Sequence, residues 1–309
     1  MILEYHLCGL RVASALALPD VLPWSGDTRS ADIEIVLGSV PDRLPGATYV
    51  APFLQLAGDG QARVEISAVA AYRIEQGRRI TVAPTPGGES SAVALFLLRA
   101  ACGILWMQRG LFAMRASTVE IDGRAVALAG ISGIGKSTLA AALIDAGHRL
   151  LSDDVSVIDA TAAGGPLVLP TAPVQWLWRD SLAALDIVPG ARVRSDPAMQ
   201  KFERHVAPAF QAKPRPLAAI CHLDRLVRAR PVIERTTGAA ALQAVRGHAL
   251  RLHAAQKMGL EPTVFLQAAK IAASVPQATL RRPMTFDALR PFAQALPEML
   301  ASAGLWGGE

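Results

Sequence analysis

Leu128 to Asp159 reads LAGISGIGKSTLAAALIDAGHRLLSDDVSVID. Within it, Gly130-Ile-Ser-Gly-Ile-Gly-Lys136-Ser137 fits G-x-x-x-x-G-K-[ST], the Walker A pattern. The pattern means a phosphate seat only between a strand and a helix, and both are readable. Val126 to Leu128 is a short apolar run, and Lys136 to Ala146 is rich in Ala and Leu with Gly147 as its stop. Unpaired amides and the dipole at a helix start attract negative charge, and glycines let the main chain curl around it. Lys136 would then reach the β and γ phosphates of a nucleotide, and Ser137 would offer its hydroxyl to Mg²⁺. The nucleotide-contacting set is Gly130, Ser132, Gly133, Ile134, Gly135, Lys136, Ser137 and Thr138.

The same glycines fail two other patterns. Thr138 stands where a dinucleotide fingerprint needs its third glycine or alanine, and Ser132 is followed by Gly133-Ile134, so G-x-S-x-G is not met. No L-S-G-G-Q segment is present, which disfavours an ABC-type ATPase.

Beyond the helix, Gly147 reverses the chain, and Arg149 to Leu151 can return as a strand that ends beside the loop. There stand Asp153 and Asp154. One carboxylate is expected near Mg²⁺ at such a site, and a second can accept a proton from an incoming hydroxyl.

Working outward, residues 1 to 88 read as short strands and turns. Asp32 to Leu37 and Ala62 to Ile66 alternate, and Ala71 to Ile74 with Arg79 to Val82 flank a Gln76-Gly77 turn, as in a hairpin. The Pro84 to Gly88 cluster reads as a linker, which predicts a domain boundary there and a second domain over 89–309. Ser90 to Gln108 predicts a helix stopped by Gly110; its apolar stretch is interrupted by Arg99 and is shorter than a membrane span needs, so a buried helix is expected. Ser117 to Ile121 and Arg124 to Leu128 predict two strands around Asp122-Gly123. Val174 to Trp178 and Pro216 to Leu223 predict further strands; Trp176 and Trp178 would pack a core or flank a nucleotide, and a core is expected. From Gly238 the pattern predicts helices over Ala239–Met258, Pro262–Ala273 and Phe286–Ala301. The fold class is therefore α/β: a P-loop mixed-sheet core with a smaller strand-rich N-terminal region and a helical C-terminal part.

The chain has 309 residues, 51% hydrophobic and 18% charged, enough for a sizeable core. Its three cysteines, Cys8, Cys102 and Cys221, give no disulfide framework, and the N-terminus has no basic head before an apolar run; both predict a cytoplasmic protein with no membrane partner. Net charge is +5, yet Arg192 to Arg235 alone holds ten Lys or Arg against four acids. That segment is a solvated face or a surface for phosphates; without aromatic-stacking or zinc-finger patterns it does not predict a nucleic-acid partner. His248 and His253 are five apart, on different helix faces, so they do not predict a metal pair.

Gly130 to Ser137 followed by Ala146-Gly-His-Arg-Leu-Leu-Ser-Asp-Asp-Val155 resembles the nucleotide-binding core of HPr kinase/phosphorylase, in which G-x-S-G-x-G-K-S precedes R-G-H-x-L-x-x-D-D at this separation. The wider chain is similar to the HPr-kinase-related serine kinases that accompany ribosomally made peptides, lasso-peptide precursor kinases among them. That likeness rests on Gln108-Arg109-Gly110 and on Ala116 to Gly123, which fits A-S-x-V-x-I-D-G. The resemblance implies ATP and Mg²⁺, a serine hydroxyl of a precursor peptide as acceptor, Asp153 as its base and Asp154 as a partner for Mg²⁺, with the two roles exchangeable. Lys201 and Arg204 match a lysine-bearing loop of the relatives that would meet substrate or phosphate. The strand-rich N-terminal region would recognise substrate; assembly into a homo-oligomer is left open.

Two departures stand out. Arg115 replaces the usual His before Ala-Ser, and Thr138 replaces the Glu common after the loop serine in true HPr kinases. Arg115 leaves any role of that position open, whereas Thr138 and the lack of the R-G-L-G-I segment of true HPr kinases point away from HPr as acceptor and from the reverse reaction. Other classes also fit the residues: a kinase for a small-molecule hydroxyl, or a nucleotide-gated regulatory ATPase with no acceptor.

Overall fold

A computed structural model describes residues 1–192, 200–225 and 230–305. The architecture is mixed α/β and divides into two compact units, Met1–Ala113 with Leu250–Leu266, and Met114–Ala249 with Gln267 onward. Arg194 and Arg228 of the basic segment lie outside the described residues.

The first unit is built on a 9-stranded sheet. The expected hairpin forms: Ala70–Glu75 pairs antiparallel with Arg79–Pro84 around a turn in which Gln76 and Gly77 both take positive φ. Burial alternates on Ala70–Glu75, as a sheet with one face packed requires. The division falls after Ala113, not at the Pro84–Gly88 cluster expected to separate domains. The reason is the helical stretch that follows. Ser90–Phe96, a π turn at Leu97–Ala101 and Cys102–Gln108 run on continuously, and Tyr72 Oη donates to Val93 O at 2.8 Å. At its end Gln108 accepts from Gly77 N at 2.6 Å and donates to Gly60 O at 2.7 Å, so this side chain ties helix to turns. The stretch Ser90–Gln108 is long and apolar enough to cross a membrane by composition, yet 72% of its most apolar window is buried within the protein, as expected for a core helix. Leu250 returns to this unit, its amide donating to Ala113 O at 2.8 Å.

The second unit has three parallel strands at its centre. Arg124–Ala129 pairs in parallel with Arg215–Arg225, which pairs in parallel with Gln277–Arg282. In register, Ala129 lies opposite His222, and His222 opposite Thr279. Ala116–Ile121 and Arg149–Ser152 extend the sheet antiparallel on one side, Val232–Arg235 on the other. Near-continuous apolar burial on Arg124–Ala129 fits a strand covered on both faces. Helices Lys136–Asp145 and Leu289–Ser302 pack on one face through Leu139, Leu143, Phe292, Leu296 and Leu300.

Two expectations for the C-terminal part need correction. It is not wholly helical, since Gln277–Arg282 lies within it and joins the central sheet. The charged pair Arg281-Arg282 obscures that strand's pattern. Nor is Ala239–Met258 one helix: Gly238–Gly247 ends at His248, and Arg251, in the left-handed region, starts Leu252–Lys257.

Candidate functional site

In parallel sheets, ligand sites form outside the carboxyl ends of the strands, and here the loop Gly130–Gly135 leaves that end of Arg124–Ala129. The chain reverses at once because Gly130 takes φ +153°, and a Cβ there would lie 2.9 Å from Ile134 Cγ2. Gly135, at φ +90°, precedes helix Lys136–Asp145. A cavity of about 230 Å³ opens over the loop, bordered by Ser132, Gly133, Gly135, Lys136, Ser137 and Thr138. Gly130 and Ile134 do not border it; Ile134 is buried in the core and holds the loop from below.

Lys136 is 9% exposed, and its Nζ donates to Gly130 O at 3.0 Å and Ile131 O at 2.9 Å. Burial draws its pKa below the usual lysine range; Asp154 and then Asp153 oppose this, while Lys201 and Arg115 reinforce it. Thr138 Oγ1 and Ser181 Oγ share a 2.9 Å hydrogen bond that ties the loop helix to the start of Arg179–Ala184.

The two aspartates part company. Strand Arg149–Ser152 delivers both, as expected, but Asp153 is 5% exposed and faces inward. Its Oδ1 accepts from Ser117 Oγ at 2.5 Å and its Oδ2 from Trp176 N at 3.1 Å. Asp154 takes φ +69° and borders the cavity. Below them, Ser156 Oγ lies 2.7 Å from Thr118 Oγ1 and 2.8 Å from Ser152 Oγ, a buried hydroxyl cluster that fixes the turn.

The opposite side comes from distant chain. Val174–Trp178 pairs with Lys201–His205, placing Trp178 opposite Lys201, and both border the cavity with Trp176. The tryptophans expected in a core therefore form a wall: Trp176 is buried, but Trp178 is 48% exposed. Met284 and Phe286, both partly exposed, continue this apolar rim. Arg204 does not join Lys201. Its Nη2 donates to Asp145 Oδ1 at 2.6 Å, at the far end of the loop helix, roughly 13 Å from Lys136 by helical rise. Elsewhere in the basic segment Arg215 pairs with Glu120.

Sequence reading missed one contributor to the cavity and a histidine pair elsewhere in the same unit. Arg282, 5% exposed, borders the cavity from the end of the Gln277–Arg282 strand. His222 and His248 stack with centroids 5.3 Å apart, and His222 Nε2 lies 2.9 Å from Gln277 Oε1. Burial, then His222, then Lys136 lower the His248 pKa to about 4. Arg282 belongs to no local motif, and strand register brings it to the loop; His222 and His248 do not border the cavity.

No protein-family model matches the sequence, and no curated protein matches it. Among solved structures the chain is similar to the HPr(Ser) kinase/phosphatase from Coxiella burnetii, with 14% identity over 62% of this chain and 93% of that one, at a TM-score of 0.34. A likeness this slight decides neither fold nor activity.

Proposed function

We propose that this chain is a P-loop kinase with an HPr-kinase-like core, which passes a phosphoryl group from ATP to a hydroxyl. The observation that carries this reading is the meeting in one cavity of the glycine loop, Lys136, Ser137 and Asp154. The loop amides and the helix start would seat the phosphates, and Lys136, withdrawn from its two carbonyl partners, would neutralise charge on the transferring group. Ser137 and Asp154 offer hard oxygen donors on the same cavity, a set that suits Mg²⁺. When bound, Mg²⁺ supplies charge neutralisation at the phosphate oxygens. Trp178, Met284 and Phe286 offer an apolar face for the base.

The acceptor oxygen bonds to the γ phosphorus as the bond to the bridging oxygen breaks, ADP leaves, and the hydroxyl proton passes to a carboxylate. We assign that proton to Asp154, whose two oxygens allow one contact to a metal and one to the acceptor. Asp153 then exchanges roles and becomes a positioning residue, since both its oxygens already hold the turn. For the acceptor we propose a serine of a ribosomally made, lasso-type precursor peptide in the cytoplasm, with residues 1–88 contributing to its recognition. This finer part rests on the sequence resemblance alone.

The test offers γ-labelled ATP with serine peptides and with sugar and amino-acid acceptors. Label on a peptide, lost in K136A, supports the reading. Label on a small molecule moves the acceptor to another class, and phosphate released to water alone makes the chain a regulatory ATPase. No uptake of Mg-ATP by calorimetry ends the kinase reading altogether.

A further inference from the structure

A buried cation without a carboxylate is costly unless something else balances its charge. Arg282 is in that position. It is 5% exposed, its Nη1 donates to Pro283 O at 3.1 Å, and its Nε is buried with no acceptor. None of the ion pairs among the described residues includes it. The preceding residue shows the ordinary arrangement: Arg281 pairs with both Asp224 and Glu234.

The head of Arg282 is aimed. Three residues past Thr279, which lies in register with Ala129 across His222, it overhangs the loop that begins at Gly130. Its Nη2 would lie 2.6 Å from a Cβ on Gly135, which puts the guanidinium directly against the loop. The same guanidinium borders the cavity with Lys136, Lys201 and the two acids Asp154 and Asp180. Burial is the cause that pulls its pKa below the usual arginine range. Arg282 also borders an apolar groove with Pro283, Pro291 and Phe292, which offers its charge no partner.

Resting on the phosphoryl-transfer reading, we propose that Arg282 is a phosphate-contacting residue, its guanidinium pairing with nonbridging oxygens of the nucleotide seated over Gly135–Ser137. A planar fork of donors matches two phosphate oxygens at once, which an ammonium cannot do. The anion completes a charge balance that the neighbouring side chains do not give Arg282. Ligand binding therefore stabilises the protein more than contacts to the loop alone would.

Two variants test this, R282M and R282K, each titrated by calorimetry with Mg-ATP and with inorganic triphosphate and melted with and without them. For R282M we expect an unliganded melting temperature equal to or above wild type, affinity for both ligands reduced about 10- to 100-fold, and most of the ligand-induced shift lost. R282K should keep the charge and lose about tenfold. R282M binding within twofold of wild type overturns the inference, as does a large fall in unliganded stability with affinity intact. If R282M does not fold, R282K decides: affinity equal to wild type overturns the fork, and a tenfold loss supports it. Wild type that takes up neither ligand sinks the phosphoryl-transfer reading itself, whereas normal wild-type binding with an indifferent R282M sinks only the arginine.

Discussion

The two sides of the cavity treat buried positive charge differently. On the loop side, Lys136 is buried but donates to two main-chain carbonyls within six residues of itself. On the strand side, Arg282 is buried with one carbonyl partner and an orphaned Nε. The first cation is looked after locally. The second is set in place by a parallel sheet whose strands lie some 150 residues apart in sequence. The difference teaches that contiguous chain can build one side of a cavity around a glycine loop, while the wall facing it must be supplied by register.

The sharpest way to break this contrast is to remove the locally held cation. K136A should lower phosphoryl transfer by about 10³-fold or more, read as labelled product, with the fold retained by circular dichroism. Next come the adjacent carboxylates. D154N should cost on the order of 10²- to 10⁴-fold in transfer. D153N should cost less in transfer, but about 1–3 kcal/mol in stability, because an amide cannot accept from both Ser117 Oγ and Trp176 N through two oxygens. If D153N proves the slower enzyme at unchanged stability, the two roles return to the order implied by the family resemblance.

A smaller effect concerns pH. His248 is held neutral in the fold, with its pKa lowered from 6.5 to about 4 by burial, then His222 and Lys136. Between those values the unfolded chain binds a proton that the folded chain refuses. Stability is thus complete above about 6.5 and declines as pH falls towards about 4. H248Q should flatten this slope by roughly one proton in urea unfolding across the same window. An unchanged slope would show that the imidazole does not sense the strand side of the cavity. Smallest of all, R204A removes the pair with Asp145 and should cost about 1 kcal/mol or less while leaving transfer unaltered. Lost transfer would return Arg204 to the site.

Much of the second unit was legible because its signals are local. The loop, its strand and helix, the turn at Asp122-Gly123 and the return to Asp153-Asp154 each depend on a few neighbouring residues. Strand Gln277–Arg282 was not legible: its central place buries alternate and adjacent positions alike, and its charged end reads as a breaker. The boundary after Gly88 failed for a related reason. A Pro and Gly cluster marks a turn, but Tyr72 and Gln108 hold the following helix to the first unit by bonds across 21 and 31 residues.

Sequence by itself determined the loop that the proposed function uses, since glycine conformational freedom, a helix start and one lysine are properties of contiguous chain. Tertiary structure alone decided which aspartate faces the cavity, that Arg204 turns away to Asp145, and that Arg282 turns in. Those outcomes depend on strand register and on which buried charge finds a partner, and neither is written in any short stretch of residues.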